Sequence, residues 1–129
     1  MMDDEAMIRD LAALMLVELG YRVTTCADGA EAARLYEEAL QAGTPFSAVI
    51  MDLTIPGGMG GKEAAERILA VDAGANLIVS SGYSNDPIMA DYSAYGFRGA
   101  VAKPYTIKSL GQKMASLAAR GTSMNSPCC

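Results

Sequence analysis

Ala48-Val49-Ile50-Met51-Asp52, running into Leu53-Thr54-Ile55-Pro56-Gly57-Gly58-Met59-Gly60-Gly61 and then into Lys62 to Val71, is the stretch that decides the fold. A short apolar run that ends at an acid reads as a buried strand. Proline and four glycines then mark a turn. Ala64, Ala65, Ile68 and Leu69 recur at helical spacing after it. Strand, turn and helix in that order make half of a parallel β–α–β unit.

The same alternation extends in both directions. Ala6 to Leu19 predicts a helix, with Ile8, Leu11, Met15 and Leu19 on one stripe and Gly20 as its stop. Arg22 to Cys26 is short and β-rich. Asp28 followed by Glu31 is a capping-box-like start for a helix through about Gln41. Asn76 to Ser80 predicts the next strand. Asp86-Pro87 opens a helix expected to reach about Tyr95. Gly99 to Ala102 is a last short strand, and Thr106 caps a helix carrying Ile107, Leu110, Met114 and Leu117. Residues 121–129 lack periodicity and are expected to be a disordered tail after a single domain of residues 1–120. Strands alternating with helices imply an α/β fold, a parallel sheet with helices on both faces.

Composition narrows the function. The chain has 129 residues, 51% of them hydrophobic, enough for one domain with a core. Ten basic against fifteen acidic residues leave a charge of −5, which argues against nucleic-acid binding by the chain itself. No apolar run approaches the ~18 residues of a membrane span, and the acidic opening is unlike a signal peptide. With no histidine, histidine catalysis and histidine metal sites are excluded. The three cysteines, Cys26, Cys128 and Cys129, have neither disulfide nor zinc spacing, and a reducing, cytoplasmic setting fits them best. Gly57 to Gly61 lacks the lysine and hydroxyl of a P-loop and reads as a flexible loop; Arg9 and Arg34 read as exposed helix charges.

In parallel sheets ligands bind at the carboxyl ends of the strands. Here those ends carry Asp3 and Asp4, Asp52, Ser80 and Ser81, and Lys103. Any one of them alone reads equally well as a solvated loop residue, but the set on one edge does not. Three converging carboxylates repel, so a bound cation or a retained proton is expected. An all-oxygen donor set suits Mg²⁺.

These residues resemble the receiver domains of two-component response regulators. The resemblance rests on Asp3-Asp4-Glu5, Met51-Asp52-Leu53-Thr54-Ile55-Pro56-Gly57, Ser80-Ser81-Gly82 and Lys103-Pro104-Tyr105, four motifs in order over almost the whole chain. Ile50 to Lys62 and Val79 to Pro87 are similar to receivers fused to hybrid sensor histidine kinases. The family implies a flavodoxin-like (CheY-like) sheet of order 2-1-3-4-5. It implies that Asp52 accepts a phosphoryl group from a phosphohistidine, on a histidine kinase or a phosphotransfer domain. Asp3 and Asp4 would hold Mg²⁺ (Mn²⁺ as a substitute), Asp4 directly and Asp3 through water, with the Thr54 backbone carbonyl and Asp52 completing the site. Ser81 would move onto the phosphoryl oxygens, with Ser80 the weaker candidate. Lys103 would pair with those oxygens, and a cis bond before Pro104 would aim it. Physical chemistry agrees: an aspartyl phosphate adds up to about two negative charges, tolerable only beside a cation and a positioned ammonium. A carboxylate nucleophile needs no general base.

Three features depart from the family. Only Met1 and Met2 precede Asp3, whereas a strand usually needs ~5 residues, so the first strand is largely truncated. Its neighbours are expected to lose a shared partner, which favours low stability and a homodimer. Ala100 stands where the family has its aromatic switch; Tyr83, Tyr95, Phe97 and Tyr105 lie nearby in sequence, but none matches the position. No output domain is evident, so the chain acts through its own surface or is a fragment of a hybrid kinase. Two other classes stay open. One is a pseudo-receiver that binds partners without phosphorylation. The other is an aspartyl-phosphate phosphotransferase, against which Thr54 stands, because such enzymes want an acid two residues after the nucleophile. Beyond Mg²⁺-dependent self-phosphorylation and autodephosphorylation, no enzymatic turnover is expected.

Overall fold

The computed structural model describes residues 1–82 and 86–118 and the backbone of 127–128. Its centre is a parallel sheet of β2 (Val49–Asp52), β3 (Leu77–Ser81) and β4 (Gly99–Ala102). Asp52 is paired with Ser80, and Ser80 with Val101. Every residue of β2 and β3 is buried, because helices cover both faces. Side chains alternate between two cores. Val49, Met51, Leu77 and Val79 pack towards α2 (Gly29–Gln41) and α3 (Gly61–Val71). Ile50, Ile78 and Val101 pack towards α1 (Ala6–Glu18) and α5 (Ile107–Ala118).

The first strand is short, as expected, but its neighbours do not lose their shared partner. Met2 is bridged in parallel to both Cys26 and Met51. Met2 N–H donates to Ile50 O at 2.8 Å and Asp52 N–H to Met2 O at 3.0 Å. On the other side, Cys26 N–H donates to Met1 O and Asp3 N–H to Cys26 O, both at 3.1 Å. The Met1 ammonium donates to Thr24 O at 2.9 Å. Met1–Asp3 therefore does bond both neighbours and lies between the Arg22–Cys26 segment and β2, followed by β3 and β4, which is the order expected from the family. Both methionines are fully buried, Met1 in the α1–α5 core and Met2 in the α2–α3 core. Burial of that extent stabilises by roughly 1.5–3 kcal/mol per side chain. β1 (Arg22–Val23) also runs parallel to β5 (Pro127–Cys128). The expected tail otherwise lies outside the described residues, as does Tyr83.

Local signals mostly hold. The Asp28 carboxylate accepts from Glu31 N–H at 2.9 Å at the start of α2. Asp86 accepts from Ile88 N–H at 2.9 Å, and Thr106 Oγ1 from Ser109 N–H at 2.9 Å. The helix expected through Tyr95 is cut short. α4 spans only Pro87–Ala90, and a 3₁₀ turn, Tyr92–Tyr95, follows Asp91. The tighter turn ends at Gly96, whose φ of +87° favours glycine and whose Cβ would meet Leu69 Cδ1. That close approach brings Phe97 into the core at 1% exposure.

Candidate functional site

The sheet order sets Asp3, Asp52, Ser81 and Lys103 at neighbouring strand ends. Asp3 ends the short first strand and is fully buried. Its Oδ1 accepts from Glu5 N–H at 2.9 Å, and its backbone oxygen accepts from Arg9 Nη1 at 2.9 Å. Arg9 is thus half-buried and holds the acidic segment in place, where the sequence suggested a merely exposed charge. Asp52 ends β2 at 6% exposure, with Thr54 N–H 3.4 Å from its Oδ1. Lys103 follows β4, its N–H bonded to Ser81 O at 3.0 Å. Its Nζ lies 2.7 Å from Asp3 Oδ2 and 3.0 Å from Asp52 Oδ2. The Lys103–Pro104 peptide bond is cis.

Asp4, Glu5, Asp52, Thr54, Pro56, Ser81, Gly82 and Lys103 line an open cavity of about 410 Å³. Carboxylate oxygens of Asp3, Asp4 and Asp52 lie within 4.8 Å of one another. Asp3 Oδ2 is buried and accepts no hydrogen bond of good geometry, although the Lys103 ammonium is in ion-pair range. One lysine faces two buried carboxylates with a third beside them, so the cluster has room for more positive charge. A hard divalent cation with oxygen ligands fits that need.

Titration follows the same imbalance. Burial raises the Asp52 pKa above its ordinary value, and Lys103 only partly opposes it. Burial works against the Lys103 charge, but its pairing with the Asp3 and Asp52 carboxylates outweighs that, and its pKa is raised. The pair thus holds a firmly cationic lysine beside an Asp52 whose charge is incompletely compensated.

The two serines point to opposite faces. Ser81 lines the cavity. Ser80 is fully buried on the other side, hydrogen-bonded to the Tyr105 hydroxyl. Ala100 is not part of the cavity; it packs against the α2–α3 core beside Phe97 and Tyr92. The glycine-rich turn, expected to be a flexible loop, is in close contact with the site strand. A Cβ on Gly60 would lie 2.3 Å from Leu53 O, and one on Gly61 3.0 Å from Asp52 O. Gly29 N–H donates to Met59 O at 2.7 Å, tying the turn to α2.

The family described as the response regulator receiver domain matches residues 1–115. Chemotaxis protein CheY of Treponema pallidum (strain Nichols) is 28% identical over 116 residues, 89% of this chain and 78% of that protein. A receiver domain protein from Clostridium thermocellum superposes with a TM-score of 0.82 at 21% identity, covering 93% of this chain and 92% of the other. CheY in the CheX–CheY–BeF3–Mg²⁺ complex of Borrelia burgdorferi gives 0.81 at 23% identity, covering 91% and 85%. Response regulator protein TrrA of Thermotoga maritima, in complex with Mg²⁺ and BeF, gives 0.70 at 30% identity, covering 90% and 94%. With the match spanning nearly every described element and the strand-end residues gathered as above, the chain belongs to the response regulator receiver domain family.

Proposed function

We propose that this receiver domain is the phosphoacceptor of a two-component phosphorelay and that Asp52 takes the phosphoryl group from a phosphohistidine. The observation that carries the reading is the Asp52 carboxylate in an open cavity with Lys103 Nζ at 3.0 Å and two further carboxylates beside it. An Asp52 oxygen attacks phosphorus while the P–N bond breaks and the imidazole leaves with that bond's electron pair. Asp4, Asp52 and the Thr54 carbonyl would hold Mg²⁺, with Asp3 in support, and the bound ion would supply charge neutralisation for the transferring group. Two relatives carry Mg²⁺ together with a beryllium fluoride. Lys103 pairs with a second phosphoryl oxygen, and the Ser81 hydroxyl moves onto a third. The donor is a histidine kinase or phosphotransfer domain, met in the cytoplasm by a unit spanning residues 1–120. Among the described residues no helix is long and apolar enough to cross a membrane.

The test is incubation with a small phosphodonor and Mg²⁺, read by intact mass. One stable phosphoryl adduct, absent from Asp52→Asn, is the expected result. Equal labelling of Asp52→Asn would refute the assignment. No adduct on the parent chain would favour a pseudo-receiver, and rapid multiple turnover an enzyme.

A further inference from the structure

We propose that Tyr105, through its hydrogen bond to Ser80, is a positioning residue for Lys103 in phosphoryl transfer to Asp52. The proposal rests on the reading above that Asp52 is the phosphoacceptor. The β3–β4 ladder ends at the Ser81–Ala102 pair. Beyond it, the Lys103 backbone is tied to the sheet through its N–H, which donates to Ser81 O at 3.0 Å. A four-carbon stem then separates that anchor from the ammonium, which must stay within 3.0 Å of two carboxylates.

Tyr105 supplies the second anchor. It is two residues past Lys103, 6% exposed, and packed in the α1–α5 core with Ile50, Leu110 and Met114. Its hydroxyl meets Ser80 Oγ, which is fully buried. Ser80 is the ladder partner of Asp52, and Ser80 O accepts from Leu53 N–H at 2.8 Å. The bond therefore ties the segment carrying the lysine to the residue beside the phosphoacceptor, from the face opposite the cavity. Burying two hydroxyls is unfavourable unless they satisfy each other, and a phenyl ring would fill the same space without that requirement. Burial pushes the Tyr105 pKa up to about 12, so the phenol stays neutral and remains able to donate. Misplacing a reacting group by about 1 Å can lower a rate by ~10²-fold.

Tyr105→Phe, which keeps the ring, Ser80→Ala and the double variant should be compared at saturating Mg²⁺. The first-order rate of Asp52 phosphorylation by a small phosphodonor should fall by about tenfold in Tyr105→Phe, with Mg²⁺ affinity unchanged. The double variant should be no slower than the slower single one, because all three lose the same bond. A parental rate in Tyr105→Phe, or single effects that multiply in the double variant, would overturn the proposal. A lower melting temperature with no rate change would mark the bond as packing only, with the same consequence. If Ser80→Ala fails to fold, Tyr105→Phe decides alone. If the parent is not labelled at all, the phosphoacceptor reading fails instead. The Lys103 side-chain nitrogen resonance then tests the anchor: a shift in Tyr105→Phe supports it and an unmoved resonance overturns it.

Discussion

Replacing Lys103 with methionine removes a cation paired with both Asp3 and Asp52 while keeping most of the side-chain volume. Both carboxylates are nearly inaccessible, Asp3 at 0% and Asp52 at 6% exposure, so solvent screens them little. Breaking one side of a buried ion pair typically costs about 3–5 kcal/mol. The protein can limit that loss by protonating one carboxyl. From the ordinary aspartate value of about 3.9, protonation at pH 7 costs about 4 kcal/mol, at 1.36 kcal/mol per pH unit. The deficit at pH 7 is therefore expected at about 3–4 kcal/mol, and should shrink by about 1.4 kcal/mol for each pH unit lowered. In the parent, the raised Lys103 pKa leaves its contribution intact below the ordinary lysine value and loses it only as pH climbs through the raised one. The comparison at pH 7 is thus free of lysine titration. Urea denaturation of both proteins at pH 7 and 5.5, with and without Mg²⁺, measures each part. Mg²⁺ should restore more stability to the variant than to the parent, because the ion replaces the missing charge. A deficit under 1 kcal/mol, or one independent of pH, would show that the lysine does not offset the buried carboxylates.

Asp52 must be anionic to attack, and burial raises its pKa; at limiting Mg²⁺ the acid limb of the phosphorylation rate should lie above the usual carboxylate range and move down as Mg²⁺ rises. The same limb at every Mg²⁺ concentration would count against metal binding beside Asp52, and Asp4→Ala should abolish the dependence. Gly60→Ala places a methyl group 2.3 Å from Leu53 O; strain of this kind costs about 1–3 kcal/mol or more, and denaturant titration should show a loss in that range. With Ala100 in place of an aromatic switch, chemical-shift changes on adding Mg²⁺ and beryllium fluoride should stay near Asp52 and Ser81. Large changes spread over Tyr95 to Gly111 would contradict that expectation.

Much of this architecture was legible in the sequence because the signals were local. A strand buried on both faces must be apolar throughout, and Val49–Met51 and Leu77–Val79 are. The caps at Asp28, Asp86 and Thr106 need only a side chain and an amide two or three residues on. The helix expected after Pro87 is longer than the one found because Ile88, Met89 and Tyr92 have the same spacing on an α-helix as on a short α-turn followed by a 3₁₀ turn. The positive φ of Gly96 and its close approach to Leu69 end the second turn. The candidate site was legible as a set, since four chemistry-bearing strand ends in a parallel sheet must share one edge. Its inner face was not. Ser80 and Ser81 are both buried at the end of an all-buried strand, so no alternation in the sequence tells which faces the cavity. Tyr105 meets Ser80 across 25 residues, and Arg9 reaches the Asp3 backbone only once α1 is docked.

The first strand is as short as its residue count implies, yet its neighbours keep their pairing. Met1 and Met2 alternate into the two cores, and their backbone groups bond to Thr24, Cys26, Ile50 and Asp52. Asp3 is then fixed from three directions: its N–H by Cys26 O, its carboxylate by Glu5 N–H, and its carbonyl by Arg9. Each of those bonds is worth only about 1 kcal/mol net, somewhat more for the charged donor. Together they hold a fully buried carboxylate 2.7 Å from Lys103, a position that a frayed terminus could not maintain. The docking of α1 adds to this, because its Arg9 binds the backbone of Asp3, which ends the strand and faces the charged cluster.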